Sequence, residues 1–155
     1  MIRRACEKDI PMLKELLRQV CSVHANGRPD LFIDGATKYT DEELTGMVHD
    51  DDNPIFVNTG DDDQVRGYAF CQYHRIRNEN NRPDRTSLYI DDLCVDEKAR
   101  RQHVGEQLYH YVLQVARESG CDSVELNVWE LNQSARAFYD RMGLRPLKTT
   151  MEAIL

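Results

Sequence analysis

The chain is expected to fold as a single α/β domain over residues 1–155, and three features of the sequence predict it. One is Leu88–Gly120, where a strand-like run passes through a basic turn into a helical repeat. A second is a hairpin pattern, in which Ile55–Thr59 and Val65–Ile76 flank the turn Gly60-Asp61-Asp62-Asp63. The third is size and composition. With 155 residues, 41% hydrophobic and 30% charged, the chain can bury one independently folding core, and global disorder is excluded.

In order along the chain, Met1–Ala5 is a short strand candidate. Glu7–Asp9 open a helix with Pro11 in its first turn, where a missing N–H costs nothing. Leu13, Leu16, Leu17 and Val20 form its buried stripe, and Asn26-Gly27-Arg28-Pro29 ends it. Leu31–Lys38 shows no periodicity. Thr40-Asp41-Glu42-Glu43 is a capping box that starts a short helix carrying Leu44, Met47 and Val48. After the hairpin, Arg77–Arg85 is polar and reads as a surface loop. Leu88–Val95 is the next strand. Val104, Leu108, Val112 and Val115 then mark a helix that Gly120 stops. Ser123–Trp129 alternates as a strand. Asn132-Gln133-Ser134 starts a helix whose apolar face is Ala135, Phe138, Tyr139 and Met142, ended by Gly143. Leu144–Leu147 and Thr149–Leu155 are the last two strand candidates. The expected order is β-α-α-β-β-β-α-β-α-β-β.

The bulk numbers exclude several classes of function. A net charge of −7 argues against general nucleic-acid binding, which needs a basic footprint. No apolar run approaches the roughly 18 residues of a membrane span, and no signal-peptide pattern precedes the first strand. Five cysteines, an odd number with no CxxC pair, argue against a disulfide framework and for a reducing, cytoplasmic home. Cys21-x-x-His24 has metal-ligand spacing but no second pair, so no metal is expected.

The basic turn carries the chemistry. Arg100, Arg101 and His103 precede the start of a helix, where unpaired amides and the helix dipole attract an anion. A phosphate-bearing ligand is the expected occupant. On the strand before it, alternation predicts that Asp91 and Asp92 face opposite sides of the sheet.

Two segments resemble the GNAT superfamily of acyl-CoA-dependent N-acetyltransferases. Asp92-Leu93-Cys94-Val95-Asp96 through Arg100-Arg101-Gln102-His103-Val104-Gly105 is similar to the family's acetyl-CoA signature, Gln/Arg-x-x-Gly-x-Gly/Ala. Asn132-x-x-Ala135-x-x-Phe138-Tyr139-x-x-x-Gly143-Leu144 is similar to its second motif. The middle glycine of the signature is His103 here; glycine permits positive φ and close approach to phosphate, and histidine enters positive φ more often than most residues. The resemblance implies a mixed, mostly antiparallel sheet of six to seven strands flanked by about four helices, with acetyl-CoA as co-substrate. It further implies that backbone amides of Gln102, His103, Val104, Gly105 and Glu106 cradle the pyrophosphate. Arg100 and Arg101 are expected at the phosphates. Backbone groups of Leu93 and Val95 would pair with pantetheine, the Val95 amide would polarise the thioester, and Asn132 would contact the pantetheine region.

The same resemblance makes Tyr139 the general acid for the departing thiolate. The acceptor is expected to be an amine, which attacks only when neutral. Removing a proton from an alkylammonium of pKa near 10.4 at pH 7 costs about 4–5 kcal/mol, so a base is needed. The run Tyr89-Ile90-Asp91-Asp92-Leu93-Cys94-Val95 resembles spermidine/spermine acetyltransferases, which points to Asp91 as that base. A small cationic amine is the favoured acceptor, with protein N-termini or lysines as the alternative. A non-catalytic acyl-CoA sensor is the reading from a different class. The last hairpin is short, which leaves one wall of the acceptor site for a partner copy and predicts a homodimer.

Overall fold

β-Branched and apolar residues concentrate in five segments, and in the computed structural model, which describes residues 1–155, these pair into one sheet. The strands are β1 (Ile2–Arg4), β2 (Ile55–Thr59), β3 (Val65–Ile76), β4 (Arg85–Val95) and β5 (Ser123–Leu126), in that spatial order. The β1–β2, β2–β3 and β3–β4 pairs are antiparallel. β5 lies parallel to β4, which requires a crossover. The helix α3 (Val104–Glu118) supplies it. The other helices are α1 (Ile10–Gly27), α2 (Asp41–Met47) and α4 (Gln133–Arg141).

Both faces of the sheet are covered. On one face, Leu13, Leu16 and Leu17 of α1 and Leu44 of α2 pack on Ile55, Val57, Tyr68 and Phe70. On the other, Val104, Leu108, Val112 and Ala116 of α3 pack on Phe56, Ala69, Cys71, Leu88 and Ile90. A fully buried leucine contributes about 1.5–3 kcal/mol. The three of α1 therefore outweigh its marginal independent stability and hold it against the sheet.

Local signals act as read. Pro11 sits in the first turn of α1. The Thr40 hydroxyl accepts from the Glu43 amide (3.2 Å), and the Glu43 carboxylate accepts from the Thr40 amide (2.7 Å). Gly120 and Gly143 end α3 and α4 at φ of +69° and +86°. Arg3 grips the buried Asp9 with two hydrogen bonds (2.7 and 3.0 Å), tying β1 to the start of α1. Burial pushes the Asp9 carboxyl up, but Arg3 and the Cys6 amide outweigh it and hold the group below the usual range.

The sheet differs from expectation in having five strands rather than six to seven. Leu144–Leu147 and Thr149–Leu155 form no strand. Leu144 packs on the α3-side core, but Leu147, Met151, Ile154 and Leu155 are exposed, so beyond Leu144 little apolar surface is buried to offset the entropy of ordering the segment. β5 also stops at Leu126 rather than Trp129. The Trp129 ring turns away to pack edge-on against Phe32 (5.1 Å).

Gly67 sets the close approach of α3 to the sheet. A Cβ there would stand 2.8 Å from the Cys94 carbonyl oxygen and 3.0 Å from Val104 Cγ1. The bare backbone lets the first residue of α3 rest on β3 and β4, which brings the helix start beside Val95.

Candidate active site

β4 does not alternate regularly. Asp92 lies opposite Phe70 and Ile90 opposite Cys71, so Asp91 is an extra residue, a β-bulge. Leu88 and Ile90 face α3 before it, and Leu93 and Val95 face α3 after it. The bulge absorbs one residue of phase and turns both acids to the α1/α2 side. This corrects the expectation that Asp91 and Asp92 face opposite ways.

The two carboxylates have different surroundings. Asp91 Oδ2 accepts from Lys38 Nζ (2.6 Å) and from the Tyr39 hydroxyl (3.1 Å). The Tyr39 ring is stacked on Phe70, 5.8 Å between centroids. Asp92 Oδ2 accepts from the Tyr68 hydroxyl (3.0 Å). Burial pushes the Asp92 carboxyl up to about 6, against the opposing effects of Tyr68 and the Lys38 charge. Burial, reinforced by the Asp92 charge, raises the Tyr68 phenol well above its usual value.

Below the bulge the sheet opens. The last β4–β5 pair is Ile90 with Leu126, so residues 91–95 of β4 have no partner on that side. The Asp96 amide bonds Arg66 O on the β3 side (2.9 Å). Period-two alternation therefore directs the amides of Val95 and Leu93 into the opening. These are the two residues expected to meet pantetheine.

At one end of the opening lies the start of α3. Arg101 and His103 both have positive φ, 64° and 58°. His103 is the N-cap, in the left-handed conformation that the motif glycine would take. The first α3 amide with a backbone acceptor is that of Gln107, bonded to His103 O (2.9 Å). The amides of Val104, Gly105 and Glu106 precede it and remain available to an anion. Gly105 faces Val95 and Phe138, with its hypothetical Cβ 3.4 and 3.5 Å from them. The exposed His103 ring contacts the Glu106 carboxylate (3.0 Å). Arg100 and Arg101 are exposed at the rim, where Arg100 lies 3.7 Å from Glu97. A shallow depression of about 480 Å3 runs from His103 along α3, past Gln107 and Tyr111, and its lining includes neither acid.

α4 forms the remaining wall. Asn132 caps it, its Oδ1 accepting from the Ala135 amide (3.2 Å). Phe138 packs into the α3-side core. Tyr139 stands beside it, 5.2 Å between ring centroids. Burial raises the Tyr139 phenol, and the charge of Asp92 raises it further. It therefore stays protonated through the neutral range. The Cys94 thiol is pushed up to about 12 by burial and donates to Leu16 O (3.7 Å), so it supplies no nucleophilic thiolate.

The fold brings Asp91, Asp92, Leu93, Val95, the start of α3 and Tyr139 around one opening. Arg100 and Arg101 lie at its edge. Three participants escaped sequence reasoning: Lys38, Tyr39 and Tyr68. Lys38 lies in an aperiodic segment, and Tyr68 reads as an ordinary strand residue. Tyr39 carried a usable signal, since it directly precedes the Thr40 cap, a position that often packs onto the helix it introduces.

Comparison with known proteins shows the family and the fold. The model of the acetyltransferase (GNAT) family matches residues 17–144. The structure of a mutant BH1408 protein from Bacillus halodurans superposes with a TM-score of 0.95 at 26% identity, covering 100% of this chain and 99% of that one. An uncharacterised N-acetyltransferase from the pepI 3' region of Lactobacillus delbrueckii subsp. lactis is 24% identical over 145 residues, 92% of this chain and 83% of its own length. The thialysine N-ε-acetyltransferase of Sus scrofa is 31% identical over 61 residues, 39% of this chain. The chain spans 36% of that protein's length, and 28% of the length of GCN5-related N-acetyltransferase 6, chloroplastic, of Arabidopsis thaliana. With both motif segments around one opening and the family match spanning most of its residues, the chain belongs to the GNAT family of acetyltransferases.

Proposed function

We propose that the protein transfers an acetyl group from acetyl-CoA directly to the primary amine of a small cationic acceptor. The observation that carries this reading is the bulge in β4, which sets two carboxylates beside an opening bordered by the Leu93 and Val95 amides. Acetyl-CoA enters with its pyrophosphate on the α3 amides, its pantetheine along Leu93 and Val95, and its thioester at the Val95 amide. Arg100 and Arg101 add charge at the phosphates, and Asn132 borders the pantetheine arm. Asp91 takes the proton from the acceptor ammonium. Asp92, already brought to about 6 by burial, is the neighbouring group able to hold that proton at neutral pH. The neutral amine attacks the thioester carbon, the C–S bond breaks as the tetrahedral intermediate collapses, Tyr139 donates to the departing sulfur, and the second proton shed by the nitrogen restores the phenol. The net charge of −7 and the resemblance of the run Tyr89–Val95 to spermidine/spermine acetyltransferases favour a polyamine-like or aminoglycoside-like acceptor.

The test is thiol release from acetyl-CoA with diamines, polyamines, aminoglycosides and peptides. Release with small polyamines and not with peptides is the expected result. Release with peptides alone replaces the acceptor by a protein amine. Acetyl-CoA binding without release for any amine overturns the enzyme reading in favour of a sensor.

The same proposal includes a homodimer in a reducing, cytoplasmic setting. All five cysteines are free. The outer edge of β5 has no strand neighbour, and Leu147, Met151, Ile154 and Leu155 of the C-terminal tail are exposed. Light scattering should give twice the 18.0 kDa chain mass; a monomer at tens of micromolar overturns it.

A further inference from the structure

The strongest unexplained feature is the cation already seated on Asp91. Lys38 comes from the segment between α1 and α2, not from the strands that form the site. Its Nζ lies 2.6 Å from Asp91 Oδ2. The Lys38 side chain is 49% exposed and that of Asp91 17%, so the ammonium reaches inward from the rim. Tyr39, held by its stack on Phe70, donates to the same oxygen and places the lysine stem. Burial alone would lower the Lys38 pKa, but the bond to Asp91 outweighs it and keeps the amine charged. The carboxylate proposed to receive the acceptor is thus occupied by a protonated primary alkylamine of the chain's own.

An ion pair this open contributes little to stability, typically about 0–1 kcal/mol, and exchanges readily. It does neutralise Asp91 beside Asp92, where two unpaired carboxylates on one face would repel. We infer that Lys38 is a resident occupant of the acceptor-amine subsite, and that a cationic acceptor binds by displacing its Nζ from Asp91. This rests on the reading of Asp91 as the amine-side carboxylate. A tethered competitor acts at an effective concentration on the order of millimolar. A simple monoamine merely replaces one ammonium by another. The displacement costs a monoamine and a polyamine the same, so the resident lysine sets the affinity that any cationic acceptor must exceed.

The test compares wild type with Lys38→Met, which keeps the stem and removes the charge. The readouts are calorimetric binding of spermidine and butylamine to the protein with CoA bound, and steady-state KM and kcat for the same amines. The substitution should tighten both amines about tenfold and to the same extent, because displacing Lys38 costs each of them the same. The kinetic change should fall on amine KM and leave the KM for acetyl-CoA in place. Asp91→Asn should abolish the gain. A lysine with only a structural role would lower the melting temperature and leave amine affinity unchanged or weaker, which overturns the inference. Undetectable spermidine binding to both proteins overturns it as well. Tightened binding without turnover for any amine would sink the proposed activity while leaving the resident-occupant inference standing.

Discussion

Replacing Tyr139 with phenylalanine should lower kcat by about 10²-fold, the lower end of what a positioned proton donor contributes. The KM for acetyl-CoA should stay within about twofold of wild type. The substitution removes one oxygen from a ring that borders the opening and leaves the α3 amides and the Leu93 and Val95 edge intact. The loss should appear equally in kcat and kcat/KM for the amine, the mark of an interaction made only in the transition state. Because burial and the charge of Asp92 hold the phenol above its usual value, Tyr139 should set no limb of the neutral pH profile. Rapid-quench measurement of a single turnover separates the chemical step from product release. An unchanged single-turnover rate would remove Tyr139 as the acid.

Replacing Asp92 with asparagine should stabilise the protein at pH 7.5 and leave it unchanged near pH 4. The carboxyl rises from 3.8 to about 6 on folding, chiefly through burial. A raised acid binds more protons in the native state, so stability falls as pH rises from about 4 through 6 and the penalty is constant above that. Two pKa units correspond to roughly 3 kcal/mol, and the partial exposure of Asp92 reduces the realised figure to on the order of 2 kcal/mol. Asparagine keeps an oxygen for the Tyr68 hydroxyl without the charge. Asp9 acts oppositely, since its lowered carboxyl stabilises at neutral pH and loses that contribution in acid. The informative quantity is therefore the difference between variant and wild type in urea melts across pH 4–8. Parallel curves would show that Asp92 carries no buried-charge penalty. A gain in stability with a loss of turnover would identify Asp92 as a costly group retained for chemistry.

Much of the fold was legible because its signals are local. The Thr40–Glu43 box, Pro11, Gly120 and Gly143 each act through neighbouring backbone groups, and each does in three dimensions what the sequence implies. His103 belongs with them: a left-handed position was expected from the motif, and the residue adopts it. The last two strands were misread because apolar composition marks a segment able to pair, while pairing needs an edge and burial elsewhere. Leu147, Met151, Ile154 and Leu155 find neither within the chain.

The candidate site was legible as parts. Asp91, Val95, Tyr139 and the start of α3 could be named from residue order, and their shared opening follows from strand pairing that stops at Ile90 and Leu126. Lys38 and Tyr39 meet Asp91 across about fifty positions of sequence, and no local pattern encodes such a meeting. By itself, the sequence determined the class of fold, the basic turn before α3 and the pair of acids, because periodicity, capping and backbone permissiveness are properties of short segments. Only the tertiary structure decided that both acids face α1 and α2, that Asp92 is lifted toward neutrality and that a lysine rests on Asp91. One bulge residue shifts the phase of a whole strand, and burial depends on what the rest of the chain packs over it.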